Sequence, residues 1–257
     1  MARVWHLSSR WLPQGWLDAI RQLLLFASAY YFYRIVRGVV DGQTAIAFDH
    51  ARDLVGIERG MHLFFEPGLQ HWALAHHWTI DIANWAYINS HFLVTTSFLI
   101  WLYIARNESY YYVRNMFMVA MGVALVLYVA YPTAPPRFLP EWGFSDTVTD
   151  AVGQASANNV NVLYNPYAAI PSMHVAFALM IAIPAFKVVR NRLRYLWLIY
   201  PVFMAFVVMS TGNHFWIDAA LGAITAAVSA AASSWALGRA RPEAWAWRTA
   251  LGARATA

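Results

Sequence analysis

Long apolar runs separated by polar connections are the dominant pattern along this chain. A helix needs roughly 20 apolar residues to cross a hydrocarbon core of about 30 Å, and six runs approach that length. The pattern therefore predicts six membrane-spanning helices. The predicted spans are residues 17–38, 80–105, 113–131, 171–187, 194–211 and 214–237.

Two of the connections between these spans are long. Residues 39–79 are too polar to span and contain a stretch rich in His and aromatic residues, which is typical of helices that lie in the membrane interface. Residues 132–170 are rich in Pro, Gly and Asn, and residues 146–161 within them form either a lid over a site or a solvated connection. We expect a single domain over residues 1–257, with residues 239–257 as a cytoplasmic tail.

Composition narrows the class of protein. Hydrophobic residues make up 60% of the chain and charged residues 12%, against about 45–50% and 25% in globular proteins. We therefore expect an all-α, polytopic membrane protein. The absence of cysteine excludes disulfides and thiolate metal sites. In a membrane protein a net charge of +5 is a mark of Arg-rich cytoplasmic loops more often than of nucleic-acid binding.

The orientation follows from counting Lys and Arg on each side of the predicted spans. Twelve lie on one side and five on the other. The positive-inside rule then places both termini in the cytoplasm and both long connections outside. The richer side holds Arg3, Arg10, Arg106, Arg114, Lys187, Arg190, Arg192, Arg194, Arg239, Arg241, Arg248 and Arg254, and the poorer side holds Arg34, Arg37, Arg52, Arg59 and Arg137.

Polar residues concentrate in three segments that six alternating spans bring to the same membrane face. These segments follow the third span, precede the fourth span, and join the fifth span to the sixth. Ionisable residues at such positions are costly to keep and mark functional sites. The topology therefore predicts one site on the outer face. The segments are residues 131–138, 165–174 and 210–218.

The start of the fourth span is suited to an oxyanion. Pro171 fits the first helical position, where its missing N–H costs nothing. Ser172 and His174 would then lie in the first turn, where free backbone N–H groups and the helix dipole favour a phosphate. Arg137 adds a planar guanidinium that can hold two phosphate oxygens.

The junction of the fifth and sixth spans supplies a nucleophile. Gly212 can end the fifth span, and Asn213 is a good N-cap for the sixth or, alternatively, a phosphate ligand. His214 and Asp218 are four residues apart and would share one helical face. The Asp218 carboxylate can accept from one ring nitrogen of His214 and leave the other nitrogen free to attack phosphorus.

These residues predict a phosphoryl-transfer mechanism. His214 attacks phosphorus, Asp218 holds its ring, and His174 protonates the leaving oxygen as general acid. Arg137, Ser172 and backbone N–H groups hold the non-bridging oxygens. Water or another alcohol then resolves the phosphohistidine, with His174 acting as base. This chemistry requires no metal and no cofactor.

The three segments resemble the signature blocks of the type 2 phosphatidic acid phosphatase (PAP2) superfamily. The resemblance rests on Pro-Ser-x-His at residues 171–174 and His-x-x-x-Asp at residues 214–218, and it extends over about residues 131–222. It implies that His214 is the nucleophile, His174 the acid/base and Asp218 the orienting carboxylate. It also implies that Arg137 and Ser172 are phosphate ligands.

Within that superfamily the chain is more similar to the branch of fungal inositol phosphorylceramide synthase (aureobasidin-resistance type) and many bacterial homologues. The commonest first block has a Lys where this chain has Ala130, and here Phe138 follows Arg137. The commonest third block has Ser-Arg where this chain has Val207 and Val208. The missing cations favour the synthase-like branch. This branch implies transfer of phosphate or a phosphorylated headgroup to an alcohol. We expect the protein in a bacterial inner membrane.

Three hypotheses stay open for a lipid phosphate mono- or diester as the ligand. The first is a phosphotransferase with an alcohol acceptor, and the second is a plain hydrolase of phosphatidic acid or a polyprenyl (pyro)phosphate. The third is a transporter or non-catalytic binder. Asn89 and His91 either line the cavity or bond to a neighbouring helix. His71, His76 and His77 fit interfacial positions better than a metal site.

Overall fold

Helices make up nearly all of the regular structure in the described part of the chain. The computed structural model describes residues 12–39, 43–152 and 167–237, so the tail predicted at residues 239–257 lies outside it. The helices are α1 (Gly15–Val39), α2 (Thr44–Gly60), α3 (Glu66–Ala75), α4 (His77–Ala105), α5 (Asn107–Ala130), α6 (Thr147–Val152), α7 (Met173–Val188), α8 (Leu196–Ser210) and α9 (Trp216–Ala231). Short 3-10 turns lie at Pro136–Phe138, Pro140–Trp142 and Arg192–Tyr195, a π turn lies inside α4 at Ala86–Ser90, and another continues α9 at Ala232–Leu237.

Four stretches of the described residues are helical, long enough and apolar enough to cross a membrane. They are α4, α5, α8 with its preceding turn (Arg192–Ser210), and α9 with its extension (Trp216–Trp235). These four apolar helices indicate a membrane protein.

The other two predicted spans are also helices, but one is too short and the other is not apolar enough to count as a candidate span. α7 is apolar but has 16 residues, which gives a length of about 24 Å. α1 has 25 residues but contains Asp18, Arg21, Arg34 and Arg37. The described residues are all-helical and contain four candidate spans, and crossing by α1 and α7 stays a prediction.

The short helix α7 lies at the centre of the bundle. It packs against α4, α5, α8 and α9, and its Ala176, Met180 and Ile181 are almost fully buried. They share one apolar cluster with Phe117 and Ala120 of α5. A helix that is apolar on all sides is expected where other helices surround it. The first turn of α7 is thereby held deep among its neighbours.

The long connection after α1 covers one end of this bundle. The inner face of α2 buries four apolar residues and Glu58, while Ile46 and Ile57 on its other face are exposed. Apolar residues on an exposed face are typical of interfacial helices, and the interfacial position of this connection stays a prediction. The buried cluster beneath α2 contains Ala47, Ala51, Leu54, Val55, Ala134, Leu139, Phe144, Ile170 and Phe215. α2 therefore packs on all three of the predicted site segments.

A buried polar cluster at the other end of α5 ties α1 to the bundle. The Asp18 carboxylate accepts from the hydroxyls of Tyr103 (2.9 Å) and Tyr111 (2.8 Å) and from Gln22 Nε2 (3.0 Å). Arg114 Nη1 donates to Gln22 Oε1 at 2.7 Å. Buried polar groups are tolerated when they are paired in this way.

Substituting Asp18 by Ala should loosen α1. Each buried donor left without an acceptor costs about 1–3 kcal/mol, so we expect a lower unfolding temperature for the detergent-purified protein. Glu108→Gln is the matched control, because Glu108 is an exposed acid at the start of α5. An Asp18→Ala protein with the same unfolding temperature as the wild type would contradict the role of Asp18 in holding α1.

Candidate active site

The three site segments are joined directly by backbone hydrogen bonds. The end of α5, the start of α7 and the α8–α9 junction therefore meet at one place, as the alternation of spans predicted. The bonds run from Arg137 N–H to Gly212 C=O (2.7 Å), from Ser172 N–H to Asp218 C=O (3.0 Å), and from Thr133 N–H to Tyr167 C=O (2.8 Å).

His214 is oriented by a buried carboxylate. Its Nδ1 lies 3.2 Å from Asp218 Oδ2, and the same oxygen accepts from the Phe215 N–H at 3.0 Å. Asp218 is fully buried. With Nδ1 held in this way, Nε2 is the ring nitrogen left for chemistry. The predicted contact between His214 and Asp218 is present.

The start of α9 differs from the prediction. The helix begins two residues later than expected, with Phe215 at the N-cap position, so the assignment of Asn213 as N-cap was wrong. His214 therefore precedes α9 and does not lie in its first turn. The cause is Asp218, whose carboxylate accepts the Phe215 N–H and caps the helix there. Asn213 Nδ2 donates to Thr211 Oγ1 at 2.7 Å.

The start of α7 also shifts by two residues. Ser172 is the N-cap and Met173 the first helical residue, so Pro171 lies outside the helix, contrary to the prediction. His174 lies in the first turn, as expected. Ser172 accepts the Ala176 N–H through its carbonyl (3.0 Å). Its hydroxyl is fully buried and has no hydrogen-bond partner among the described residues.

The two histidine rings lie close together. The ring centroids of His174 and His214 are 6.1 Å apart, with an angle of 59° between the ring planes. Attack and proton transfer each need a reach of about 3 Å. One phosphoryl group can therefore contact both rings.

Tyr87 and His91, two residues of α4, pack against His174. The sequence analysis left the place of His91 open and did not name Tyr87. Tyr87 stacks on the His174 ring at 4.4 Å, and the His91 ring lies 4.5 Å from it. Tyr87 belongs to the π turn of α4, and π turns often occur at functional sites. Asn89 is exposed and bonds back to its own helix at Trp85. Of the two polar residues noted in this span, His91 reaches the site.

Arg137 is buried beside the site and belongs to an ion pair. Its Nε lies 3.5 Å from Asp146 Oδ1, and its Cζ lies 4.8 Å from the Phe138 ring centroid. Asp146 also accepts the Thr149 N–H at 3.0 Å and so begins α6. Most of the segment predicted as a lid or a solvated connection, residues 146–161, lies outside the described residues.

A comparison with protein families matches residues 52–232 to the PAP2 superfamily. This match covers more than half of the chain. The chain belongs to the PAP2 superfamily. No curated protein and no solved structure matches it. PAP2 proteins are generally phosphatases, and membership indicates a phosphatase-type activity on lipid phosphates.

The PAP2 match begins inside α2, in a connection to which the sequence analysis assigned no chemical role. Two fully buried glutamates from this region bind the start of α9. Glu66 Oε1 accepts the Trp216 N–H at 2.8 Å, and Glu58 Oε1 accepts the Ile217 N–H at 3.3 Å. The available signal was the position of Glu58, four residues after Leu54 on the apolar face of α2.

Gly222 of α9 should be essential to the spacing of this PAP2 site. A Cβ at Gly222 would meet the Ser172 carbonyl oxygen more closely than real Cβ atoms approach any atom, and would lie 3.4 Å from Ala176 N. Gly222→Ala should push α9 from α7 and separate the two histidines. A shift near 1 Å costs about 100-fold in activity.

The control for that change is Gly122→Ala in α5, where nothing lies within 4 Å of the added Cβ. Initial rates of phosphate release from a lipid phosphate, with unfolding temperatures measured in parallel, compare the two variants. Wild-type rates in Gly222→Ala would show that the close approach of α7 and α9 is not needed.

Proposed function

We propose that this protein transfers the phosphoryl part of a lipid phosphate ester through a phosphohistidine formed on His214. The observation that carries the proposal is the pair of rings 6.1 Å apart, one of which is oriented by a buried carboxylate. A structural cluster would give no reason for a second histidine in the first turn of α7.

The chemistry balances with the residues present. The lone pair on His214 Nε2 attacks phosphorus, and the bond from phosphorus to the leaving oxygen breaks. His174 gives its proton to that oxygen. Water or an alcohol then attacks the phosphohistidine, His174 takes the proton of the attacking hydroxyl, and the N–P bond breaks. The positive charge that forms on the His214 ring is stabilised by Asp218.

The phosphate ligands are proposed from burial and unmet hydrogen bonding. Ser172 Oγ is buried without a partner among the described residues, and it begins α7, whose first N–H groups favour an anion. Arg137 supplies the positive charge. Asn213 Nδ2 already donates to Thr211, which supports a role in shaping the α8–α9 junction better than a role as a phosphate ligand.

The charge of the site favours a phosphodiester as substrate. Arg137 is paired with Asp146, and Ala130 and Val208 stand where the commonest signature blocks of the superfamily carry a Lys and an Arg. A phosphomonoester would bring two negative charges to this site, whereas a diester brings one. We therefore favour transfer of a phosphorylated headgroup, such as an inositol phosphate-like group, to an alcohol, over hydrolysis of phosphatidic acid or a polyprenyl (pyro)phosphate.

The proposed setting is a bacterial inner membrane crossed six times. In this arrangement α1 and α7 cross together with the four longer apolar helices. Both termini are cytoplasmic by the positive-inside rule, and the site opens to the outer leaflet, from which the lipid enters laterally.

A labelled phosphoenzyme should form on His214. Lipid substrate carrying labelled phosphorus is mixed with the detergent-purified protein and quenched, and protein-bound label is measured. We expect acid-labile, base-stable label, because phosphohistidine has that stability, and none in His214→Ala. His71→Ala is the control, since His71 is an exposed histidine of α3. Full turnover by His214→Ala would remove the mechanism, and binding without turnover by the wild type would favour a transporter.

Product analysis should separate transfer from hydrolysis. A labelled phosphodiester lipid is incubated with and without inositol or a lipid alcohol. We expect label in a new ester that grows with the concentration of the alcohol, since the acceptor competes with water for the same intermediate. Release of the labelled headgroup phosphate alone, at a rate that does not depend on the alcohol concentration, would leave the hydrolase hypothesis.

A further inference from the structure

The first turn of α9 is capped by side chains from elsewhere in the chain. A helix leaves its first N–H groups without partners in the helix, and here those of Trp216 and Ile217 are taken by Glu66 and Glu58. These two glutamates come from the end of α2 and the start of α3. They lie 150 and 159 residues before the groups that they bind. A distant pair of acids thus holds the helix that contains Asp218.

The two carboxyl groups also lie close to each other. Both residues are fully buried, and their oxygens accept from the N–H groups of two successive residues of α9. Two buried carboxylates held at neighbouring groups repel each other when both are ionised, which favours protonation of one of them. Burial, and then the charges of Glu66 and Asp218, raise the pKa of Glu58 to about 9. Burial also raises the pKa of Glu66.

The charges around this pair are few among the described residues. Glu66 on α3 and Asp218 on α9 both raise the pKa of Glu58, and Asp218 is bonded in turn to His214. The guanidinium of Arg59, the next residue on α2, lies 4.1 Å over the Trp142 ring. At neutral pH Glu58 is therefore protonated, and the pair lies at the positive end of α9.

We propose that Glu58 and Glu66 are positioning residues, a buried pair of acids that fixes the place of the His214–Asp218 arm by holding the first turn of α9. This inference rests on the proposed function for the role of His214. The pair acts through Asp218, whose own capping bond lies in the same turn. It also occupies the N–H groups that an anion would use, which leaves the start of α7 as the place for phosphate.

Matched substitutions separate charge from hydrogen bonding. Glu58→Gln keeps an acceptor for Ile217, whereas Glu58→Ala and Glu66→Ala remove the acceptors. We expect the two Ala variants to lower kcat about 10- to 100-fold, with KM changed less than about threefold, since positioning errors act on the chemical step. Glu58→Gln should restore most of the kcat that Glu58→Ala loses. Asp49→Asn is the control, because Asp49 is an exposed acid of α2 paired with Arg52.

A second measurement needs no substrate. The pKa of Glu58 is about 9 in the folded protein and 4.5 ordinarily, so between these values the folded state binds more protons than the unfolded chain. Stability must therefore fall as pH rises through that interval. Unfolding temperatures from pH 5 to pH 9 should fall less steeply in Glu58→Gln than in the wild type. Asp49→Asn should follow the wild type.

The outcomes distinguish the two proposals. Wild-type kcat in both Ala variants, or a Glu58→Gln protein as impaired as Glu58→Ala, would overturn the positioning role. An unchanged pH slope of unfolding temperature in Glu58→Gln would overturn the protonation of Glu58. If the wild type turns over no lipid phosphate, the proposed function fails. The pH slope and the melting of Glu66→Ala then still decide whether the pair holds α9.

Discussion

A helix that begins inside a protein must find acceptors for its first N–H groups, and the site depends on how α9 meets this need. Asp218 caps the helix from within, and Glu58 and Glu66 cap it from a different part of the chain. The same carboxylate of Asp218 orients His214. The place of His214, the proposed nucleophile, is therefore set by the groups that satisfy the backbone N–H groups at the start of α9.

The sequence was sufficient to predict the helices and the meeting of the three segments. Long apolar runs identify helices whatever their partners are, and alternation then brings residues such as His174 and His214 to one end of the bundle. The first residue of each helix was harder to predict. Pro171 and Asn213 are both favoured near helix starts by their own chemistry, yet Ser172 and Phe215 take the capping positions. Contacts across the fold decided both starts, and local preference could not reveal them.

The parts that sequence reasoning missed are long-range and polar. Glu58 and Glu66 were assigned only to an interfacial connection, since their partners lie about 150 residues away. The π turn of α4 left no trace in the apolar pattern, although it places Tyr87 on His174. His91 and Asn89 were equivalent as polar residues in a span, and only the packing of α4 separates them.

The contact of Gly222 with the N-cap of α7 has a consequence for divergence among distant relatives. Because a single methyl group does not fit there, a relative with a larger residue at this position must carry α9 farther from α7. Its two imidazoles would then bracket a wider gap. The residue at this position therefore indicates how far apart the two histidines lie in a relative, even when overall sequence similarity is low.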